Sequence, residues 1–167
     1  MQVTLEMVNA EEKEILRNLL EKYDYEFSQW DKRDVNPLGL YGYGYLDNYW
    51  TEENRYPFFI RADGKLAGFA MVNDYPEANE PADYVMAEFF VMFKYRRCGV
   101  GRTAAGMLFE RFHGKWQLKR HPHNTASVFF WDSVVEQYAK GAYRLERGLP
   151  GTEYDDGTPG DVFFFET

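Results

Sequence analysis

The chain is poor in cysteine, has no long apolar run and shows no recurring segment. One cysteine among 167 residues rules out a disulfide within the chain and suits a reducing compartment. No apolar stretch approaches the roughly 20 residues that a membrane span needs. The first residues, MQVTLEMVNAEEKE, lack the basic segment and apolar stretch of a secretory signal. A cytoplasmic protein without membrane association is therefore expected. Metal-ligand spacing is missing too: His113, His121 and His123 have no cysteine or carboxylate at ligand distance along the chain, so no metal site is expected. No Gly-Lys-Ser/Thr follows a glycine turn, which excludes a nucleoside-triphosphate loop.

Aromatic residues make up 19% and hydrophobic residues 45% of the chain, enough to bury one core, so residues 1–167 are read as a single domain. Net charge is −8 and unevenly placed, with eight basic residues and one acid, Glu110, between Lys94 and Arg120. Nucleic acid would be repelled by the acidic remainder. A compact anionic ligand on the basic stripe, with a cationic amine arriving from the acidic side, fits both signs. A merely soluble acidic surface fits them nearly as well.

Read in order, Val3–Val8 alternates as a strand, and Asn9 with Glu12 forms a capping box that opens a helix ending near Glu26 or Phe27. Between Ser28 and Asn54, Tyr41, Tyr43, Tyr45, Tyr49 and Trp50 are interleaved with glycines, which a strand core would not tolerate. An aromatic loop or short helix that walls an acceptor pocket is one reading; a cover over the core is the other. An Asp63-Gly64 turn joins two strands as a hairpin. Further elements are a strand from Tyr84, a helix to about His113 capped by Gly114, a strand at Lys115–His121 lying parallel to the Tyr84 strand, a helix from Thr125 to about Lys140, and strands near Ala142–Arg147 and Asp161–Phe165.

The chain is organised around Tyr84–Gly106, where an aromatic strand runs into Arg96-Arg97-Cys98-Gly99-Val100-Gly101 and then into a helical pattern. The first amides of a helix lack intrahelical acceptors and carry the positive end of its dipole. Glycines let a phosphate approach them, and Arg96, Arg97 and Arg102 add positive charge. A bound pyrophosphate is one reading, a plain turn with solvated arginines the other. Gly99-x-Gly101-x-x-Ala104 also fits a dinucleotide fingerprint, but Lys119 and Arg120 stand where an acid would hold the ribose. Cys98 is read as a turn residue rather than a reactive thiol.

Arg96-x-x-Gly99-x-Gly101 after that strand resembles the acyl-CoA-binding motif of the GNAT N-acetyltransferases, Arg/Gln-x-x-Gly-x-Gly/Ala. Asn124-Thr-Ala-Ser127-Val-Phe-Phe130-Trp131 is similar to that family's Asn-x-x-Ala-x-x-Phe-Tyr segment. The resemblance implies an α/β (α+β) GNAT acyl-CoA N-acyltransferase fold: a mixed, mostly antiparallel twisted sheet of about six to seven strands with about four helices on both faces. It implies acetyl transfer from acetyl-CoA (coenzyme A) to the primary amine of a small, cationic acceptor by direct attack. It further implies that the pantetheine arm pairs with Phe89, Phe90 and Val91, and that the pyrophosphate sits on the amides from Arg97 to Thr103, namely Arg97, Cys98, Gly99, Val100, Gly101, Arg102 and Thr103. Arg96, Asn124 and Trp131 complete the implied cofactor contacts.

Glu88, on the strand before that segment, is the candidate base, provided strand parity turns it toward the acceptor. A structurally paired glutamate is the competing reading. Trp131 stands where the family usually has its tyrosine acid, and an indole N–H cannot titrate in that role. Tyr138 lies two turns on, roughly 10 Å away by helix rise. Two alternatives stay open: a thiolate that leaves without a protein acid or with one from the Tyr41–Tyr49 region, and a non-catalytic acyl-CoA-binding sensor or scaffold. The aromatic content also allows a homodimer.

Overall fold

The computed structural model describes residues 1–139 and 141–167. In chain order these form β1 (Val3–Met7), a 3₁₀ turn (Ala10–Glu12), α1 (Lys13–Asp31), α2 (Asn48–Thr51), β2 (Tyr56–Ala62), β3 (Lys65–Asn73) and β4 (Tyr84–Val91). A second 3₁₀ turn (Phe93–Tyr95), α3 (Val100–Arg111), β5 (Lys115–Arg120), α4 (Thr125–Tyr138), β6 (Tyr143–Glu146) and β7 (Asp161–Glu166) follow. The strands make one seven-stranded sheet in the order β1-β2-β3-β4-β5-β7-β6. Every neighbouring pair is antiparallel except β4 and β5.

Alternation along the strands gives the sheet two apolar faces. On one, Phe58, Ala70, Val72 and Phe163 pack with Leu108 and Phe109 of α3 and with Val134 and Val135 of α4. On the other, Phe59, Phe69, Met71 and Phe90 pack with Leu16, Leu19 and Leu20 of α1 and with Leu46 and Tyr49 from the segment around α2. Removing a large side chain such as Phe58, Phe69 or Phe109 from water, as here, stabilises by about 1.5–3 kcal/mol each.

Two local expectations change. The first helix does not end at Phe27 but runs to Asp31, where Lys32 takes a left-handed φ of 63° and its amide bonds Ser28 O at 3.0 Å. Gly114 is no left-handed cap: its φ is 156°, and a Cβ there would lie 2.7 Å from Asp83 Oδ2. The expected capping box at Asn9 and Glu12 is present. The expected extension of α4 to Lys140 falls partly outside the described residues.

Two features of β4 create the site. Its pairing with β5 covers only Tyr84↔Trp116 and Val85↔Gln117, after which the strands part. Its pairing with β3 shifts between Met71 and Val72, so that Met71 faces Glu88 while Val72 faces Met86, leaving Ala87 as the extra residue of a bulge. The bulge reverses side-chain parity. Met86 belongs to the core under α3 and α4, while Phe90, two residues beyond Glu88, belongs to the core under α1.

Candidate active site

A cleft of about 1200 Å³ passes through the parted strands. It is lined from the α1 side by Tyr23, Asp24, Phe27, Tyr43 and Glu88, and from the other by Gly99, Gly101, Arg102, Phe130 and Trp131.

At the glycine turn the structure gives the following geometry. Gly99 precedes α3 with φ 85°, and Arg97 also has a positive φ of 59°. Thr103 N bonds Gly99 O at 3.0 Å, so the four amides before it, those of Gly99, Val100, Gly101 and Arg102, lack an intrahelical acceptor. Thr103 therefore drops out of the expected amide set. Gly101 leaves little space for more: a Cβ would meet the Phe130 ring at 3.2 Å. Arg97 and Gly99 line the cleft, and Arg97 has no ion-pair partner among the described residues. The Cys98 thiol is turned to Tyr95 O at 3.0 Å, and the Val100 side chain is buried.

Arg96 bonds within the chain. Its Nε donates to Val91 O at 2.6 Å, and its two Nη atoms donate to the Glu26 carboxylate at 2.8 and 2.7 Å. These bonds clasp α1 to the end of β4, while Arg96 also borders the cleft. Arg102 lines the cleft while bonding Gln137 and Ser133 of α4. Asn124 caps α4 by accepting the Ser127 amide at 3.2 Å. Trp131 is buried edge-on against Phe89, with ring centres 5.1 Å apart, and borders the cleft with Phe89, Phe90 and Val91. Donors left unpaired at a helix start, glycines that permit close approach and positive charge beside them suit a diphosphate. The amides of Gly99–Arg102 and the Arg97 side chain are the groups that would hold it.

The expected aromatic wall divides. Tyr43 and Tyr45 line the cleft. Tyr41, Tyr49 and Trp50 do not, because each is engaged elsewhere. The Tyr41 hydroxyl bonds Ser28 Oγ at 3.1 Å. Tyr49 is 4% exposed, with its hydroxyl 3.2 Å from Asn73 Nδ2. The Trp50 indole donates to Val8 O at 3.0 Å.

Glu88 faces α1. The Tyr43 hydroxyl donates to its Oε1 at 3.3 Å, and the Tyr23 hydroxyl is near enough to favour its charged form. Desolvation raises its pKa from 4.5 to about 7, and the nearby Asp24 and Glu77 add to the rise, while the two hydroxyls oppose it. Burial, and after it the charge of Glu88, keeps the Tyr23 and Tyr43 phenols far above their ordinary pKa. They can donate hydrogen bonds but do not ionise near neutrality. Tyr138 is not in the cleft; it packs on α3, where a Cβ at Gly106 would lie 2.0 Å from its hydroxyl.

The sequence reading missed Tyr23, Asp24, Phe27, Trp30 and Asp31 of α1 and Tyr154 from the last loop, all of which line the cleft. Asp24 falls four residues after Leu20 and Asp31 seven after Asp24, continuing the helix's buried stripe. Acids in that stripe were the available signal. The fold also supplies the carboxylate that the histidine pair lacks along the chain: Asp156 Oδ1 lies 3.3 Å from His121 Nε2. His121 Nδ1, however, accepts the His123 amide at 3.1 Å, which leaves the ring proton on Nε2. The contact is a hydrogen bond that pins the last loop to the end of β5.

The Acetyltransferase (GNAT) family matches residues 14–134. Solved structures share the fold at low sequence identity. An acetyltransferase from Thermus thermophilus has a TM-score of 0.72 at 12% identity, covering 100% of this chain and 98% of that one. A spermidine N-acetyltransferase from Vibrio cholerae, solved with CoA and spermine, gives 0.65 at 14% identity over 99% and 95%. A ribosomal-protein-S18-alanine N-acetyltransferase from Escherichia coli gives 0.59 at 13% over 99% and 94%. No curated protein sequence matches the chain. With an unpaired-amide glycine turn, a sheet parted at β4 and β5, and a family match across most of its length, the chain belongs to the GNAT family of acetyltransferases.

Proposed function

We propose that this N-acetyltransferase moves an acetyl group from acetyl-CoA to the primary amine of a small cationic acceptor, with Glu88 as the base. One observation carries the reading. A glutamate whose pKa is raised to about 7 stands in the cleft where β4 and β5 part, between the glycine turn and an acid-rich, aromatic end. A general base works best when its pKa lies near the working pH.

Acetyl-CoA, when bound, supplies the activated acyl carbon. The diphosphate is held by the amides of Gly99, Val100, Gly101 and Arg102 and by Arg97. Glu88 takes a proton from the acceptor ammonium, directly or through water, which frees the nitrogen lone pair. The C–N bond forms at the thioester carbonyl as the C–S bond breaks, the sulfur leaves with the bonding pair, and the second proton on the attacking nitrogen passes to the departing thiolate or to water. The Tyr43 hydroxyl holds the Glu88 carboxylate in place, with the Tyr23 phenol beside it. Neither phenol gives up its proton to the sulfur; a thiol of ordinary pKa, about 8.5, leaves as thiolate without such help. The poised carboxylate favours this reading over that of a non-catalytic sensor or scaffold.

The test is thiol release from acetyl-CoA across a library of amines, with wild type and Glu88→Gln in parallel. Release with cationic amines, lost in the variant while CoA still binds calorimetrically, is expected. Tight CoA binding with no transfer to any amine would refute it.

A further inference from the structure

Asp24 and Asp31 of α1 are both buried, at 3% and 4% exposure, and they share one cation. Arg33 donates to Asp24 Oδ1 at 3.0 Å and to Asp31 Oδ2 at 2.6 Å. The exposed Asp155 lies 3.7 Å from the same guanidinium, so the one-cation shortfall is that of the two buried acids alone. Asp24 Oδ2 is buried with no hydrogen-bond partner among the described residues. Buried carboxylates are ordinarily paired, because desolvating an unpaired one costs several kcal/mol. This cluster is one positive charge short.

The shortfall opens onto the cleft. Asp24, Asp31 and Arg33 all line it, together with Glu88. Asp24 is also close enough to Glu88 to raise the proton affinity of that carboxyl. The pKa of Asp24 is itself raised, by burial first, against the lowering effect of Arg33. A carboxylate held in that state gains from a second cation. Tyr23 and Phe27, on the same helix, border the cleft beside it and would flank an alkyl chain running between the two acids.

Resting on the acetyltransferase reading above, we infer that the acceptor carries two cationic groups, the reacting amine at Glu88 and a second ammonium that pairs with Asp24 Oδ2. Asp24 is then a specificity-determining residue that binds the end of the acceptor remote from the acyl carbon. A monoamine of the same length satisfies only one of the two acids.

The experiment compares α,ω-diamines, from propane-1,3-diamine to hexane-1,6-diamine, with the matching n-alkylamines. Their kcat/KM is measured by thiol release, and their binding to the protein–CoA complex by calorimetry. Wild type should favour the best diamine over its monoamine by about tenfold or more, the scale of one charge-assisted hydrogen bond. In Asp24→Asn the preference should fall to near unity, chiefly through KM, with CoA affinity unchanged; because losing the Asp24 charge also lowers the proton affinity of Glu88, diamine and monoamine are compared within each protein rather than across them. The wild-type comparison stands even if that variant folds poorly. Transfer to both amine classes without preference overturns the Asp24 assignment and leaves acetyl transfer intact. Diamine heat that needs Asp24, without transfer to any amine, supports the cation site and overturns the transferase reading instead. An equal preference in wild type and a folded Asp24→Asn also overturns the assignment.

Discussion

Glu88 owes its position to a single extra residue. Counting faces along Tyr84–Val91 from Met86 would put Glu88 on the same side as Met86, under α3 and α4. The bulge at Ala87 turns it toward α1 instead. The sequence showed the acid and its place before the glycine turn, but not the bulge, because bulges depend on pairing with a strand elsewhere in the chain. Glu88→Gln should lower kcat by about 10²–10⁴-fold and abolish the rise of kcat/KM with pH expected of wild type through about 7. An unchanged pH profile would remove Glu88 from the mechanism. The same substitution should affect stability in the opposite sense. Between pH 4.5 and about 7 the folded chain keeps a proton that the unfolded chain has lost. Glu88 therefore has no effect on stability below that window and destabilises increasingly up to its top. Denaturant melts should show Glu88→Gln gaining on wild type from pH 5 to pH 8, with a ceiling of about 3 kcal/mol at about 1.4 kcal/mol per tenfold change in proton affinity. A gain independent of pH would refute the titration.

At the scale of elements, the clasp between Arg96 and Glu26 joins α1 to the segment leading into the glycine turn. The family motif led to an expectation of phosphate contact for Arg96, and motif spacing gives no sign of a partner 70 residues away. The end of α1 was obscure for a local reason. Ser28, Gln29 and Asp31 look like a helix terminus, yet Ser28 Oγ bonds Tyr25 O at 2.6 Å within the helix and the true stop is the left-handed Lys32. The hairpin and the capping box were legible because their signals are contiguous. If Arg96 positions rather than binds, Arg96→Gln and Glu26→Gln should raise acceptor KM by similar factors, about five- to twentyfold for a charge-assisted pair. The double variant should be no worse than either, and CoA affinity should stay within about twofold. A loss of CoA affinity confined to Arg96→Gln would return that side chain to the phosphate. Close packing gives a further prediction for β3 and β4. A Cβ at Gly68 would lie 2.0 Å from Phe90 O, a backbone atom that cannot swing aside. Gly68→Ala should therefore destabilise by about 1–3 kcal/mol or more, read as a fall in the denaturant midpoint without a change of slope; an unchanged midpoint would refute the close approach.

For the whole molecule, the order of elements was readable from periodicity and turn chemistry, and the resemblance supplied the sheet into which they fit. How far β4 and β5 stay together was not readable, because Lys115–Arg120 has the same strand pattern along its whole length whether or not it is paired. The structure limits their pairing to two residue pairs, so in Met86–Val91 the alternate amides that point away from β3 face a cleft instead of a neighbouring strand. Backbone groups in that position are open to water or to a ligand that adds itself as a strand. If the pantetheine arm of CoA takes that place, amide hydrogen exchange resolved by NMR should show these alternate amides exchanging faster than those of β2 and β3 in the free protein. Saturating CoA should slow the exchange by at least about tenfold, with the amides of Gly99–Arg102 slowed in the same titration. The amides of β4 that bond β3 would change little, which separates strand addition from general stabilisation on binding. Uniform slowing across the sheet, or none in Met86–Val91, would show that the ligand does not complete the parted strands.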